Sequence, residues 1–120
     1  MRRDDLYLND IIEAADHIAA FLGQMDFEGF RQSELIRNAV AQKLPIIGEA
    51  AARISGELTG RYPQIPWPRI VAFRNILIHA YFGIDWNEVW KAAQVDCLAL
   101  RREVTDILAT EIRQAGGRQR

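Results

Sequence analysis

Apolar residues recur at three- and four-residue steps through most of the chain, and strand signals are nearly absent, so the chain is restricted to helices that share one core. Leu8, Ile11, Ala15, Ile18 and Leu22 form the first stripe, in a helix expected to start near Asp4 or Asp5, whose carboxylates could accept from free backbone N–H groups. Gly23 and the segment Phe27 to Phe30 read as a turn. Ser33 followed by Glu34 opens a second helix with the stripe Val40, Leu44, Ile47, Ala51, Ile54 and Leu58. Pro45 sits inside it and predicts a kink or break there, because it lacks an N–H and crowds the preceding turn. Gly48 and the alanines after it leave room for another helix to approach closely.

Residues 61–68 carry three prolines and read as a stiff connector. Pro68 suits the first position of a third helix running to about Tyr81, and Asp85 can cap a fourth with the stripe Trp86, Val89, Ala93, Cys97, Leu100, Val104 and Ile107. The expected architecture is all-α, an up-down bundle of four to five helices. A single domain is expected over residues 1–115, with 116–120 a flexible tail because Gly116 and Gly117 open it.

Composition narrows the function classes. With 49% apolar and 26% charged residues the chain is an ordinary globular protein. Its longest apolar runs fall far short of the roughly 20 residues that span a bilayer. The opening Met1-Arg2-Arg3-Asp4-Asp5 turns acidic where a secretory signal is apolar, so a cytoplasmic protein with no membrane association is expected. A net charge of −1 argues against a uniformly cationic nucleic-acid coat, although Arg113, Arg118 and Arg120 crowd the C-terminus. Cys97 is the only cysteine and reads as a small buried apolar side chain. With His17 and His79 the only histidines, no protein-made metal site is expected, and no glycine-rich phosphate loop calls for a cofactor. His17 reads as an ordinary, partly exposed residue.

The third helix is different, because Phe73-Arg74-Asn75-Ile76-Leu77-Ile78-His79-Ala80-Tyr81 places polar groups in a strongly apolar segment. At about 100° per residue, Arg74, Asn75 and His79 share the arc opposite Ile76, Leu77 and Ala80, with Tyr81 at its edge beside Arg74. Spacing alone leaves two readings open. In one, Arg74 caps a carboxylate of another helix while Asn75 bonds His79. In the other, the guanidinium holds phosphate oxygens and the imidazole moves protons near neutral pH. RNA brings its own nucleophile in the 2′-hydroxyl, so its cleavage needs only a base, an acid and a cation for the phosphorane charge. Base and acid are two roles, and one histidine per chain points to a homodimer whose axis passes near this helix. Ile65, Trp67, Tyr81 and Phe82 could form that interface, or could be core.

At these residues the chain resembles the HepT family of the HEPN superfamily, marked by an arginine, four to six residues and a histidine. Arg74-Asn75-x-x-x-His79-x-Tyr81 is similar to the HepT form with its added tyrosine. Ile46-Ile47-Gly48-Glu49-Ala50, the segment Arg61 to Trp67, Tyr81 to Asp85 and the opening Asp4 to Ile12 resemble the family as well, although Ala80 stands where many relatives carry glycine. The resemblance implies a helical bundle that dimerises, the toxin of a bacterial toxin–antitoxin pair. Its activity would be a metal-independent endoribonuclease with Arg74 and His79 catalytic and Asn75 supporting. It also implies a partner, an MntA-like minimal nucleotidyltransferase antitoxin that transfers AMP from ATP onto Tyr81. Added phosphates beside Arg74 would compete with RNA. The rival from another class is a non-catalytic nucleotide-binding or scaffolding helical protein.

Overall fold

The computed structural model describes residues 2–76, 78 and 85–118, and every regular element among them is helical. In chain order these are α1 (Arg2–Leu22), α2 (Phe27–Gln32), α3 (Glu34–Arg53), α4 (Gly56–Arg61) and α5 (Trp67–Val71), which passes into a 3₁₀ turn at Ala72–Asn75. Then come α6 (Trp86–Lys91), a π-helical turn at Ala92–Asp96 and α7 (Cys97–Arg118).

All three expected stripes lie in one core. Leu8, Ile11, Ile18, Val40, Leu44, Ile47, Leu58, Val89, Leu100 and Val104 are essentially inaccessible. Trp86 alone among the stripe residues is only partly buried. Helix α1 packs on α3 and on α7. Both neighbours run antiparallel to it: Asp4 meets Ser55 while His17 faces Lys43, and Asp16 bonds Arg101 while Leu22 faces Leu98.

Several boundaries differ from the sequence expectation, each for a local reason. Residues 27–32 are helical rather than a simple turn, because Asp26 caps them by accepting from the Gly29 N–H at 2.9 Å and Phe30 anchors them in the core. Phe30 in turn meets the Trp86 and Trp90 rings at centroid distances of 6.2 and 5.2 Å. Ser33 does open the next helix, accepting from the Ile36 N–H at 3.2 Å. Helix α3 runs unbroken through Pro45, so no helix boundary falls there. Val40, Ala41, Leu44 and Ile47, on both sides of the proline, are buried, and that burial offsets the one missing backbone bond. The interruption comes instead at Ile54–Ser55, where Ile54 turns extended and Ser55 caps α4 by accepting from the Leu58 N–H at 3.2 Å. The stripe continues across this break, with both Ile54 and Leu58 buried.

Asp4 explains the break. The sequence assigned it to cap its own helix, yet α1 already begins at Arg2 and the Asp4 carboxylate is 3% exposed. It accepts from the Ser55 N–H at 2.9 Å and the Ser55 hydroxyl at 2.6 Å. A buried carboxylate is costly unless its oxygens are satisfied, and these two bonds do that while holding the ends of α1 and α3 together.

A second buried carboxylate fixes the connector. Glu111 of α7 accepts from Arg61 Nη2 at 2.6 Å and from the Tyr62 hydroxyl at 2.8 Å. Burial, then this bond to Glu111, pushes the Tyr62 hydroxyl above its ordinary pKa, so it stays a proton donor at neutral pH. The Trp67 indole donates to the Tyr62 carbonyl at 3.0 Å. Ile65 and Trp67 are buried, which assigns them to the core rather than to a subunit interface. The connector thus delivers α5 in a fixed position. The helix begins at Trp67, one residue before the expected Pro68, which still lies in the first turn, where a missing N–H costs little.

Cys97 is buried as expected, and burial pushes its thiol up to about 12, so it is neutral at physiological pH. Asp85 caps α6 by accepting from the Asn87 N–H at 3.2 Å. No helix among the described residues is long and apolar enough to cross a membrane.

Candidate active site

Arg74 stands on the 3₁₀ turn after α5, and a glycine sets its height. The segment from Val71 to Arg74 lies so close to α3 that a Cβ on Gly48 would sit 2.6 Å from the Arg74 backbone nitrogen. The same atom would be 3.0 Å from both Arg74 Cγ and the Val71 carbonyl oxygen. Only glycine allows that approach. Burial of Ile70 and Phe73 pulls the turn inward, and Arg74 and Asn75 face outward. The expected continuous α-helix from Pro68 is therefore replaced over Ala72–Asn75 by tighter 3₁₀ geometry, in which successive side chains turn by about 120° rather than 100°.

His79 and Tyr81 lie outside the described residues, together with Leu77, Ala80 and residues 82–84. The expected Asn75–His79 contact and an interface at Tyr81 and Phe82 fall there too. Ile78 is 56% exposed. His17 is partly buried, stacks on Phe21 at 6.4 Å between centroids, and lines a small recess with Asp10, Glu13 and Lys43.

Around Arg74 the fold assembles groups that residue spacing did not single out. A groove of about 500 Å³ runs between α1 and α3, and its wall includes Tyr7, Asp10, Ile46, Glu49, Arg53 and Arg74. One carboxylate lies between two guanidiniums. Glu49 Oε1 accepts from Arg53 Nε at 3.0 Å, while Oε2 is 3.8 Å from Arg74 Nη1. The second distance is an ion-pair contact too long for a hydrogen bond, and Arg74 lines the groove. The Arg53 guanidinium is held above its ordinary pKa first by Glu49 and then by the Tyr7 hydroxyl. Both arginines are about half exposed. Glu49 and Arg53 stand one turn apart, and that spacing was legible in the sequence. The meeting of this pair with Arg74 was not.

A half-exposed guanidinium at the head of a groove can take two oxygens of a phosphate in a planar, bidentate grip. The groove's volume suits a nucleotide-sized group, and Pro45, Ile46 and Ala50 give it an apolar floor.

A model of the HepT-like family, described as Ribonuclease HepT-like, matches residues 11–107. Among curated proteins, the chain is 40% identical over 98 residues to a protein of Methanocaldococcus jannaschii named as a candidate RNase, covering 82% of this chain and 90% of the relative. A second candidate RNase of that organism is 35% identical over 102 residues, covering 85% and 84%. The "Probable ribonuclease HepT" of Thermococcus cleftensis is 39% identical over 95 residues, covering 79% and 86%. No solved structure matches the chain significantly.

Proposed function

The chain belongs to the HepT-like ribonuclease family, and from that premise we propose that it is an endoribonuclease, the toxin of a toxin–antitoxin pair, acting through Arg74 and His79 without a metal. The observation that carries the reading is the placement of Arg74, seated against Gly48 and only loosely engaged by Glu49 at 3.8 Å at the head of a nucleotide-sized groove.

The chemistry follows from the substrate. The 2′-hydroxyl of RNA attacks the adjacent phosphorus and the bond to the 5′-oxygen breaks, giving a 2′,3′-cyclic phosphate and a 5′-hydroxyl. An imidazole accepts the 2′-proton, and a second group returns a proton to the leaving oxygen. Arg74 offsets the charge that builds on the phosphorane oxygens. His79 of each chain in a homodimer would supply both proton roles, with Asn75 supporting the imidazole. The test is incubation of the purified protein with RNA in excess chelator. Cleavage should persist and leave cyclic phosphate ends, and mass measurement of the same sample in dilute solution should give a dimer. Activity that vanishes in chelator and returns with a divalent ion overturns the mechanism. One observation favours a second reading: the Arg74–Glu49 contact would also suit a non-catalytic binding or scaffolding protein. That reading expects no cleavage under either condition.

Neutralisation is assigned to Tyr81. A minimal nucleotidyltransferase would join the phenolic oxygen to the α-phosphorus of ATP and release pyrophosphate, adding a phosphodiester charge and a nucleoside seven positions after Arg74 in the chain. With such an enzyme and ATP, the protein should gain one or more AMP masses and lose ribonuclease activity. Tyr81→Phe should still cleave RNA and resist neutralisation. Intact-mass mapping that finds the AMP on a different residue would remove this assignment.

A further inference from the structure

The groove holds more than Arg74 needs. Glu49 presents one oxygen to Arg53 at 3.0 Å and the other toward Arg74 at 3.8 Å, so a single anionic group already spans the two guanidiniums. That carboxylate has the shape and charge of a ligand the pair would take from outside. It is half exposed on an outward face of α3, so swinging it into water costs little. Asp10 is a second acid on the wall, which makes the lining electrically balanced while Glu49 stays in place. Beside the charges, Ile46 is 45% exposed and Tyr7 is partly buried, giving a base an apolar wall to lie against.

We propose that this groove is a subsite for the single-stranded RNA flanking the scissile phosphate, in which Arg53 takes a neighbouring phosphate and Glu49 is the displaceable counter-ion of both arginines. The proposal rests on the ribonuclease reading given above. Arg53 is then a binding residue. Glu49 regulates the same site by competing with the RNA backbone for its cations.

Opposite signs test it. The full-length protein is titrated with a short 2′-O-methyl RNA, which lacks the attacking hydroxyl and stays intact, over a range of salt concentrations. Arg53→Gln keeps most of the stem on a side chain that is 59% exposed, so the fold is retained. It should weaken binding by about tenfold and make the logarithmic salt slope shallower by about 0.7, the loss of one phosphate contact on a single strand. Glu49→Gln removes the competing charge and keeps the shape, and should tighten binding by about threefold. A merely structural ion pair would weaken binding in both variants or in neither. An unchanged slope for Arg53→Gln, or weaker binding by Glu49→Gln, overturns the subsite. Cleavage of unmodified RNA, followed in parallel, separates the two claims. A parent that cleaves while Arg53→Gln binds with unchanged affinity and slope removes the subsite alone. A parent that binds with the expected pattern of variants yet never cleaves removes the ribonuclease reading alone.

Discussion

Arg74→Ala and His79→Ala should each lower the single-turnover rate of RNA cleavage by about a thousandfold, and each should relieve the growth arrest caused by producing the protein without a partner. The size follows from the roles. Removing one preorganised group that stabilises transition-state charge costs on the order of 10²–10³ in rate, and removing a general acid or base costs about 10²–10⁴. Arg74 is half exposed and contacts Glu49 only at 3.8 Å, so its loss should leave the melting temperature nearly unchanged. That separates a chemical effect from an unfolded protein. Arg74→Lys retains the charge and loses the planar fork, and should fall between the parent and the alanine variant. A His79→Ala protein that cleaves as fast and is as toxic as the parent would sink the catalytic assignment.

The second large effect is expected at a residue that touches no substrate. Gly48→Ala places a methyl carbon 2.6 Å from the Arg74 backbone nitrogen and 3.0 Å from the Val71 carbonyl oxygen. Both are backbone atoms and cannot rotate away, so the 3₁₀ turn must move off α3. Overpacking of this kind costs about 1–3 kcal/mol and should lower the melting temperature. The displaced turn carries the Arg74 guanidinium with it, and a shift of about 1 Å can reduce catalysis by roughly a hundredfold. Gly60→Ala is the contrast, because nothing lies within 4 Å of a Cβ added in the short helix α4. That variant should be neutral or up to about 1 kcal/mol more stable, with unchanged cleavage. If Gly48→Ala melts and cleaves like the parent, the close approach of α3 to the Arg74 turn is wrong.

Apolar spacing along the chain was enough to tell which faces of the helices are buried. The stripes at Leu8 to Leu22, Val40 to Leu58 and Trp86 to Ile107 lie in the core, Trp86 only partly, because apolar periodicity reports the angular position of a side chain on its own helix. Caps within a few residues of their targets were legible for the same local reason: Ser33 with Ile36 and Asp85 with Asn87 involve neighbours in the chain. Gly48 was readable as a place of close approach, and Arg74 as an outward cation.

What those faces meet depends on how the helices pack together. Asp4 bonds Ser55, 51 positions away, and Glu111 bonds Arg61, 50 positions away; no periodicity encodes a pairing between polar groups on different helices. A capping signal at Asp4 was therefore misassigned to its own helix. Pro45 lies inside a helix that its local chemistry would interrupt, because burial on both sides of it against α1 outweighs one lost bond. The 3₁₀ turn at Ala72–Asn75 changes the angular order of side chains that an ideal α-helix would set, through the pull of Ile70 and Phe73 into the core. The groove follows from that turn resting on α3: Glu49 and Arg53 stand one helical turn apart on their own helix, and the missing side chain of Gly48 lets Arg74 come down beside them.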